Sequence, residues 1–309
     1  MVRRLLHILV VLLGISFLSF LLIHLAPGDP VRSMFAVSGS IPSEEVLYEI
    51  REEMGLNRPF LVQYFSWLGG CLRGDFGTSY SEGAPVAQLL ASRVLPTIQL
   101  ALLALVMMLA MAVPIGVLSA LHQNRPLDYL LRGGTFLGIS MPNFWVGLLL
   151  LYLVAMKWKL LPVVSTQINF QKMLLPAFTL AFAMAGKYAR QVRAAILEEL
   201  RQDYVAGARA RGLSERCILW RHVMPNALLP LITMLGLSLG SLLGGTAVVE
   251  VIFSYPALGS LALSAITSMD YPLIQGYVLW IALIYMVVNL VVDLSYNRLD
   301  PRLRREVRA

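Results

Sequence analysis

"DYVAGARARGLSERCILWRHVMPNALLP" occupies Asp203–Pro230, and its first half sets three arginines, Arg209, Arg211 and Arg216, among alanines and glycines. The chain on either side is largely apolar. The pattern predicts a short helix over Tyr204–Arg211, whose alanines permit close approach to another surface, stopped by Gly212 in a left-handed cap. Ser214 then caps a second helix running toward Pro225. The arginines are available to acidic groups on a partner or to anionic lipid headgroups. A helix of this kind docks; the plainer alternative is a basic loop lying on a lipid surface.

Composition sets this helix in an integral membrane protein. Of 309 residues, 58% are hydrophobic and 14% charged, and the mean hydropathy of +0.71 is too high for a soluble domain. The net charge of +7 does not point to nucleic acid, because the basic residues lie between apolar spans and at the chain ends.

Stretches long enough to cross a bilayer are Leu5–Ala26, Pro96–Leu121, Gly133–Met156, Leu174–Arg190, Ala227–Ile252 and Leu273–Tyr296. The first, at about 22 residues and about 33 Å, is too long for the apolar part of a signal peptide and reads as an uncleaved span. Six spans put both termini on one side. Arginines at the N-terminus, in the second-to-third and fourth-to-fifth loops and in the tail all fall on that side, which is therefore cytoplasmic. Cys71 and Cys217 then lie on opposite faces, which excludes a disulfide between them, and neither has metal-ligand spacing.

The organisation follows. Residues 1–95 form the first transmembrane helix plus an extracytoplasmic helical segment, residues 96–296 a five-helix core with a cytoplasmic loop over 191–225, and residues 297–309 a basic cytoplasmic tail. Within the acidic external segment, "IPSEEVLYEIREEMGLN" predicts an amphipathic helix with Ser43 at its N-cap and Gly55 as its stop.

Charges at membrane depth are few: Lys187, Glu250 and Asp293. A carboxylate at the bilayer centre costs about 2.5–3.5 kcal/mol on insertion scales, and an ion-coupled carrier would carry several. Glu250 and Asp293 sit near span ends, where a capping partner lowers the cost; Glu250 is also a pathway candidate. Gly236, Gly240 and Gly244 form a small-residue ladder suited to close helix packing. Prolines interrupt the second span at Pro114 and the third at Pro142, freeing carbonyls that need partners. Pro142, Asn143 and Trp145 are therefore pathway candidates, against the alternative of a packing kink.

The chain has no GxxxxGK[ST] loop, no HExxH, no GxSxG and no His or Cys cluster, so neither catalysis nor metal ligation is expected of it. Its driving force must come from a partner.

The Asp203–Pro230 stretch resembles the cytoplasmic signature loop of permease subunits in bacterial ATP-binding-cassette importers. That loop runs Glu-Ala-Ala, three residues, Gly, nine residues, Ile, any residue, Leu, Pro. Here those positions fall on Ala206, Gly207, Ala208, then Gly212, then His222, Met224 and Pro225. The glycine and proline match, while the initial Glu and the Ile do not. "HLAPGDP", "GDFGTSY", "GISMPNFW", "VVEVIFSYPALG", "MDYPLIQGYVLW" and "NLVVDLSYNRLDPRLR" extend the likeness over the whole chain, toward the dipeptide, oligopeptide and nickel permeases. The resemblance implies an all-α type I importer permease of six transmembrane helices in the bacterial inner membrane. Asp203, Tyr204, Ala206, Gly207, Ala208, Arg209, Arg211, Gly212 and Leu213 would belong to a coupling helix seated on an ATPase. It implies a second similar permease, two cytoplasmic ATPase subunits holding ATP and Mg, an extracytoplasmic substrate-binding protein, and alternating access, with no cofactor on this chain. The rival reading is a stand-alone carrier or channel.

Overall fold

A computed structural model describes residues 2–25, 29, 31–32, 35, 42–162 and 169–299, with side chains for these except at 2–5, 229–230, 232–233, 237, 244–245 and 292–299. The side chain of Asp293, the packing around Gly244, most of "HLAPGDP" and the tail from 300 lie outside what is described.

Regular structure among the described residues is helical, save one isolated bridge between Thr78 and Pro85. The helices are α1 (Val2–Leu25), α2 (Glu44–Glu53), α3 (Phe60–Leu72), α4 (Val86–Leu121), α5 (Pro126–Ser140), α6 (Asn143–Leu150), α7 (Phe170–Glu199), α8 (Asp203–Ala210), α9 (Glu215–Cys217), α10 (Met224–Gly245), α11 (Ala247–Ile252), α12 (Leu258–Thr267) and α13 (Tyr271–Leu299). π-helical turns extend α6 over Leu151–Lys157 and join α9 to α10 over Ile218–Val223. The second of these runs up to Pro225, which lacks an N–H and whose ring crowds the carbonyl a turn earlier; a widened turn relieves both.

Among the described residues the expected spans fall on helix apart from breaks at Met141–Pro142 and Thr246. By length and apolarity, Leu6–Leu25, Val86–Leu121 and Tyr271–Val291 can each cross a membrane, and α5 with the extended α6 is apolar and long enough only as a pair bent by 99°, the shape of a broken span or a re-entrant loop. The expected fourth span lies in α7. The fifth is divided between α10 and α11 at Thr246.

The two prolines behave differently. Met141 and Pro142 are extended, with ψ of 129° and 138°, so the chain breaks there as pre-proline sterics favour. Pro114 does not interrupt anything: α4 continues through it. Its ring is exposed, while Ala112 and Gly116 on the buried face pin the helix on both sides. Packing there outweighs one lost hydrogen bond.

The chain divides into two compact units, Met1–Thr97 with Pro256–Val287, and Ile98–Tyr255 with Val288–Ala309, the division falling inside α4 and α13. In the first unit, Val86 and Leu90 of α4 pack on Leu258, Leu261 and Ala265 of α12 and Leu273 of α13. Phe17 and Phe20 of α1 meet Phe60 and Tyr64 of α3 edge to face. The helix α2 begins after Ser43 as expected. The serine side chain makes no capping bond, however; its carbonyl takes the Leu47 N–H instead. Gly55 ends the turn at φ +69°.

In the second unit, one apolar cluster holds Met108 and Ala112 of α4 against Ala181, Ala185, Tyr188 and Ala189 of α7. Glycines set the closest approaches. A Cβ on Gly116 would stand 2.6 Å from Val192 Cβ, and one on Gly186 would stand 2.6 Å from the Thr135 carbonyl oxygen. Gly186→Ala should therefore push α7 off α5 and cost about 1–3 kcal/mol, read as a lower thermal midpoint of the purified chain in detergent. Gly133→Ala, with nothing within 4 Å, should leave the midpoint unchanged or raise it slightly.

Candidate functional site

The α8 helix forms where the sequence places it, over Asp203–Ala210, one residue earlier at each end than expected. Its end is a complete Schellman arrangement: Gly212 N–H donates to the Arg209 carbonyl at 2.9 Å, and Leu213 N–H to the Ala208 carbonyl at 3.3 Å. Gly212 sits at φ +77°, a conformation costly for any residue with a Cβ. Ser214 Oγ then accepts from Cys217 N–H and starts α9.

The helix presents two different faces. Val205 and Ala208 are buried to 0% and 1% exposure in one cluster with Val117 and Ala120 of α4, Val192 and Ile196 of α7, Ile218, Leu219 and Val223 of the π-helical turn, and Met224 of α10. Asp203, Ala206, Arg209, Ala210, Arg211 and Gly212 face outward, Gly207 is half-buried, and Leu213 and Tyr204 are partly exposed. The expectation that Ala206, Gly207 and Ala208 together form the outward close-packing surface is thus corrected. The helical period puts Ala208 beneath the helix, where its small size serves this chain's own core.

Arg209 is also not free for a partner. Its Nε and Nη2 meet Glu215 Oε1 and Oε2 at 2.7 and 3.1 Å, bridging the Gly212 turn. That guanidinium holds the Glu215 carboxyl below the usual carboxylate range. Tyr204 Oη donates to Glu199 Oε2 at 2.6 Å, at the end of α7, and accepts from Asn226 Nδ2 of α10 at 3.4 Å. Core burial and these polar contacts fasten α8 to α7 and α10.

Sequence reasoning missed a second fastening. Asp128, in the first turn of α5, is fully buried and accepts from Arg193 Nε at 2.9 Å and Nη2 at 2.7 Å, from Ser119 Oγ, and from Asn124 N–H at 2.9 Å. One carboxylate thereby ties the end of α4, the turn at Asn124 (φ +61°), the start of α5 and the C-terminal half of α7. An acid just after Pro126 was the available signal, but its partner lies 65 residues away.

The pathway candidates come from adjacent elements. Pro142 caps α6 with its carbonyl, accepting from Trp145 N–H at 3.0 Å; Asn143 is exposed and Trp145 43% exposed. α6 lies against α11, where a Cβ on Gly147 would meet Phe253 at 3.4 Å and Ile252 at 3.7 Å. Glu250 of α11 is fully buried and accepts from Thr246 Oγ1 one turn earlier. In the glycine ladder, Gly236 and Gly240 are buried, and Tyr188 of α7 donates to the Met234 carbonyl beside them at 2.6 Å.

In the first unit, Asp270 joins two of the quoted motifs. Its Oδ2 accepts from Ser79 Oγ at 2.6 Å, Ser81 N–H at 2.9 Å and Ser81 Oγ at 2.8 Å, while Oδ1 takes Leu273 N–H at 3.2 Å. "GDFGTSY" and "MDYPL" are thus pinned together. Burial, with Asp270 and Tyr271 nearby, pushes the Tyr80 phenol up to about 12, so it remains protonated.

Removing Asp128 leaves Arg193 with no carboxylate, and losing one partner of a buried pair costs about 3–5 kcal/mol. Asp128→Ala should lower the thermal midpoint of the purified chain, and Arg193→Met in that background should restore part of it. An equal further loss in the double variant would contradict a coupled pair.

Comparison with known proteins gives this geometry its context. Residues 112–305 match the family described as binding-protein-dependent transport system inner membrane component, and residues 1–101 match the N-terminal model of the same system. The chain is 38% identical to a probable peptide ABC transporter permease of Sinorhizobium fredii, over 98% of both chains. It is 38% identical to an oligopeptide transport system permease of Bacillus subtilis, also over 98% of both. A glutathione transport system permease of Salmonella paratyphi A is 37% identical, over 98% of this chain and 97% of that one. Among solved structures, an inward-facing MetNI methionine ABC transporter aligns with a TM-score of 0.57 at 18% identity, covering 69% of this chain and 97% of that one. An amino acid ABC transporter aligns at 0.51 and 22%, covering 68% and 94%. Both share the fold. The chain belongs to the family of binding-protein-dependent transport system inner membrane components, the multi-pass permease subunits of type I ABC importers, whose ATPase resides on separate subunits.

Proposed function

We propose that this chain is the permease of an importer of short peptides, and that α8 is the coupling helix through which an ATPase subunit drives alternating access. The observation that carries the coupling assignment is the division of α8 into two faces. Val205 and Ala208 are sealed into the core of α4, α7 and α10, while the small residues Ala206, Ala210 and Gly212 stand outward beside the exposed side chain of Arg211. A force applied to the outward face passes to the helices beneath without first taking up slack.

The partners follow from the same reading: a second similar permease, two cytoplasmic ATPases binding ATP and Mg, and an external binding protein that delivers the substrate. Both termini are cytoplasmic by the distribution of arginines. Relatives named for peptides, oligopeptides and glutathione favour a peptide over nickel as cargo. Family membership supports this arrangement over a stand-alone carrier or channel.

The test is uptake, in cells carrying the complete transporter with or without this chain, of a labelled tripeptide and of radioactive nickel in parallel. Chain-dependent, ATP-requiring uptake of the peptide alone is expected; chain-dependent nickel uptake would overturn the peptide assignment. Within the same system, Ala206→Trp should abolish uptake while the protein still inserts and ATP hydrolysis continues. Ala208→Trp should instead reduce the amount of folded protein. Normal uptake by the Ala206→Trp variant would remove the coupling role from α8.

A further inference from the structure

The first unit holds a half-open cavity of about 590 Å³, within the size range of small-molecule sites. Its walls come from the outer end of α1, the end of α2, α3, the 74–80 loop and the start of α13, so the Asp270 tie between loop and helix also holds the cavity together.

Two unmatched polar groups line it. The Trp67 indole N–H is buried with no hydrogen-bond partner. Gln275 is only 8% exposed, and no described residue engages its side-chain amide, which offers both a donor and an acceptor. A buried donor is rarely left unpaired, and with the solvent-reachable Gln275 amide beside it the cavity asks for a ligand rich in amide groups or for water.

Charge narrows the chemistry. Arg51 is matched by Asp29, which leaves Arg58 and Asp75 as the other ionised groups around the cavity. Asp75 commits one oxygen to Gly77 N–H at 2.9 Å, and the Arg58 guanidinium meets no carboxylate among the described residues. Four charges that balance do not favour a phosphate or any other net anion; they suit a molecule carrying one charge of each sign. Trp67, Phe76 and Tyr80 supply aromatic surface for its apolar parts.

We propose that this cavity is a binding site for a short zwitterionic peptide, its amides on Trp67 and Gln275, its carboxylate toward Arg58 and its ammonium toward Asp75. The proposal rests on the peptide-import reading above and adds a substrate site within the extracytoplasmic part of the permease itself.

The test is equilibrium binding of radiolabelled trialanine to the full-length chain in nanodiscs, without a binding protein. Saturable binding is expected, weakened about tenfold by Trp67→Phe and by Gln275→Met, each of which keeps most of the side-chain volume while removing the hydrogen bond. Blocking both termini of the peptide should weaken it further. Absence of saturable binding, binding unchanged in both variants, or displacement by inorganic phosphate but not by unlabelled trialanine would overturn the site and leave a cavity for water or an anion. Uptake of the same peptide in cells separates the two levels. Chain-dependent uptake with no cavity binding removes this site alone, whereas uptake that does not need the chain removes the import reading and the site with it.

Discussion

Two side chains, Val205 and Ala208, fix the mechanical character of the end of the chain's second unit that carries α8. They bury one face of α8 in the apolar cluster that also joins α4, α7 and α10. A helix of 8 residues is far too short to be stable alone, so its order is borrowed from that cluster and from the hydrogen bonds of Tyr204 to Glu199 and Asn226. Because protein interiors are close-packed, displacement of α8 has to be shared by its neighbours rather than absorbed locally. The buried Asp128–Arg193 pair continues this fastening from α7 to α5 and the end of α4. A displacement imposed on α8 is therefore shared by α4, α5, α7 and α10 at once, which is the property the proposed coupling role requires of it.

Local chemistry made much of this legible. The stop at Gly212, the Ser214 cap and the break at Met141–Pro142 depend on a few adjacent residues, and each is present in the fold. Pro114 shows where local rules fail, since a helix pinned by remote packing passes through a proline that would otherwise bend it. The orientation of Ala208 was hidden for a related reason. Which face of α8 turns inward is set by α7 and α10, and an alanine fits an interface and a core equally well.

Long-range polar ties left almost no trace in the sequence. Asp270 meets Ser79 across 191 residues, and Asp128 meets Arg193 across 65. Neither pairing follows from spacing or periodicity; each becomes visible only when two helix ends are brought together. Both carboxylates lie at the start of a helix beside a residue with positive φ, Asn124 or Met269, so a tight turn and a helix N-terminus jointly define the site at which a distant donor can arrive. The cavity of the first unit depends on the Asp270 tie in the same way that the helices beneath α8 depend on Asp128.

The packing of Val205 and Ala208 makes α8 and the C-terminal half of α7 one body. Paired spin labels at Ala210 and Arg190, both exposed, measure this directly in the assembled transporter, without nucleotide and trapped with a non-hydrolysable ATP analogue. The account predicts one label-to-label distance distribution in both states. A distribution that shifts with nucleotide would mean that α8 slides on its bed, and the rigid-transmission account would be wrong.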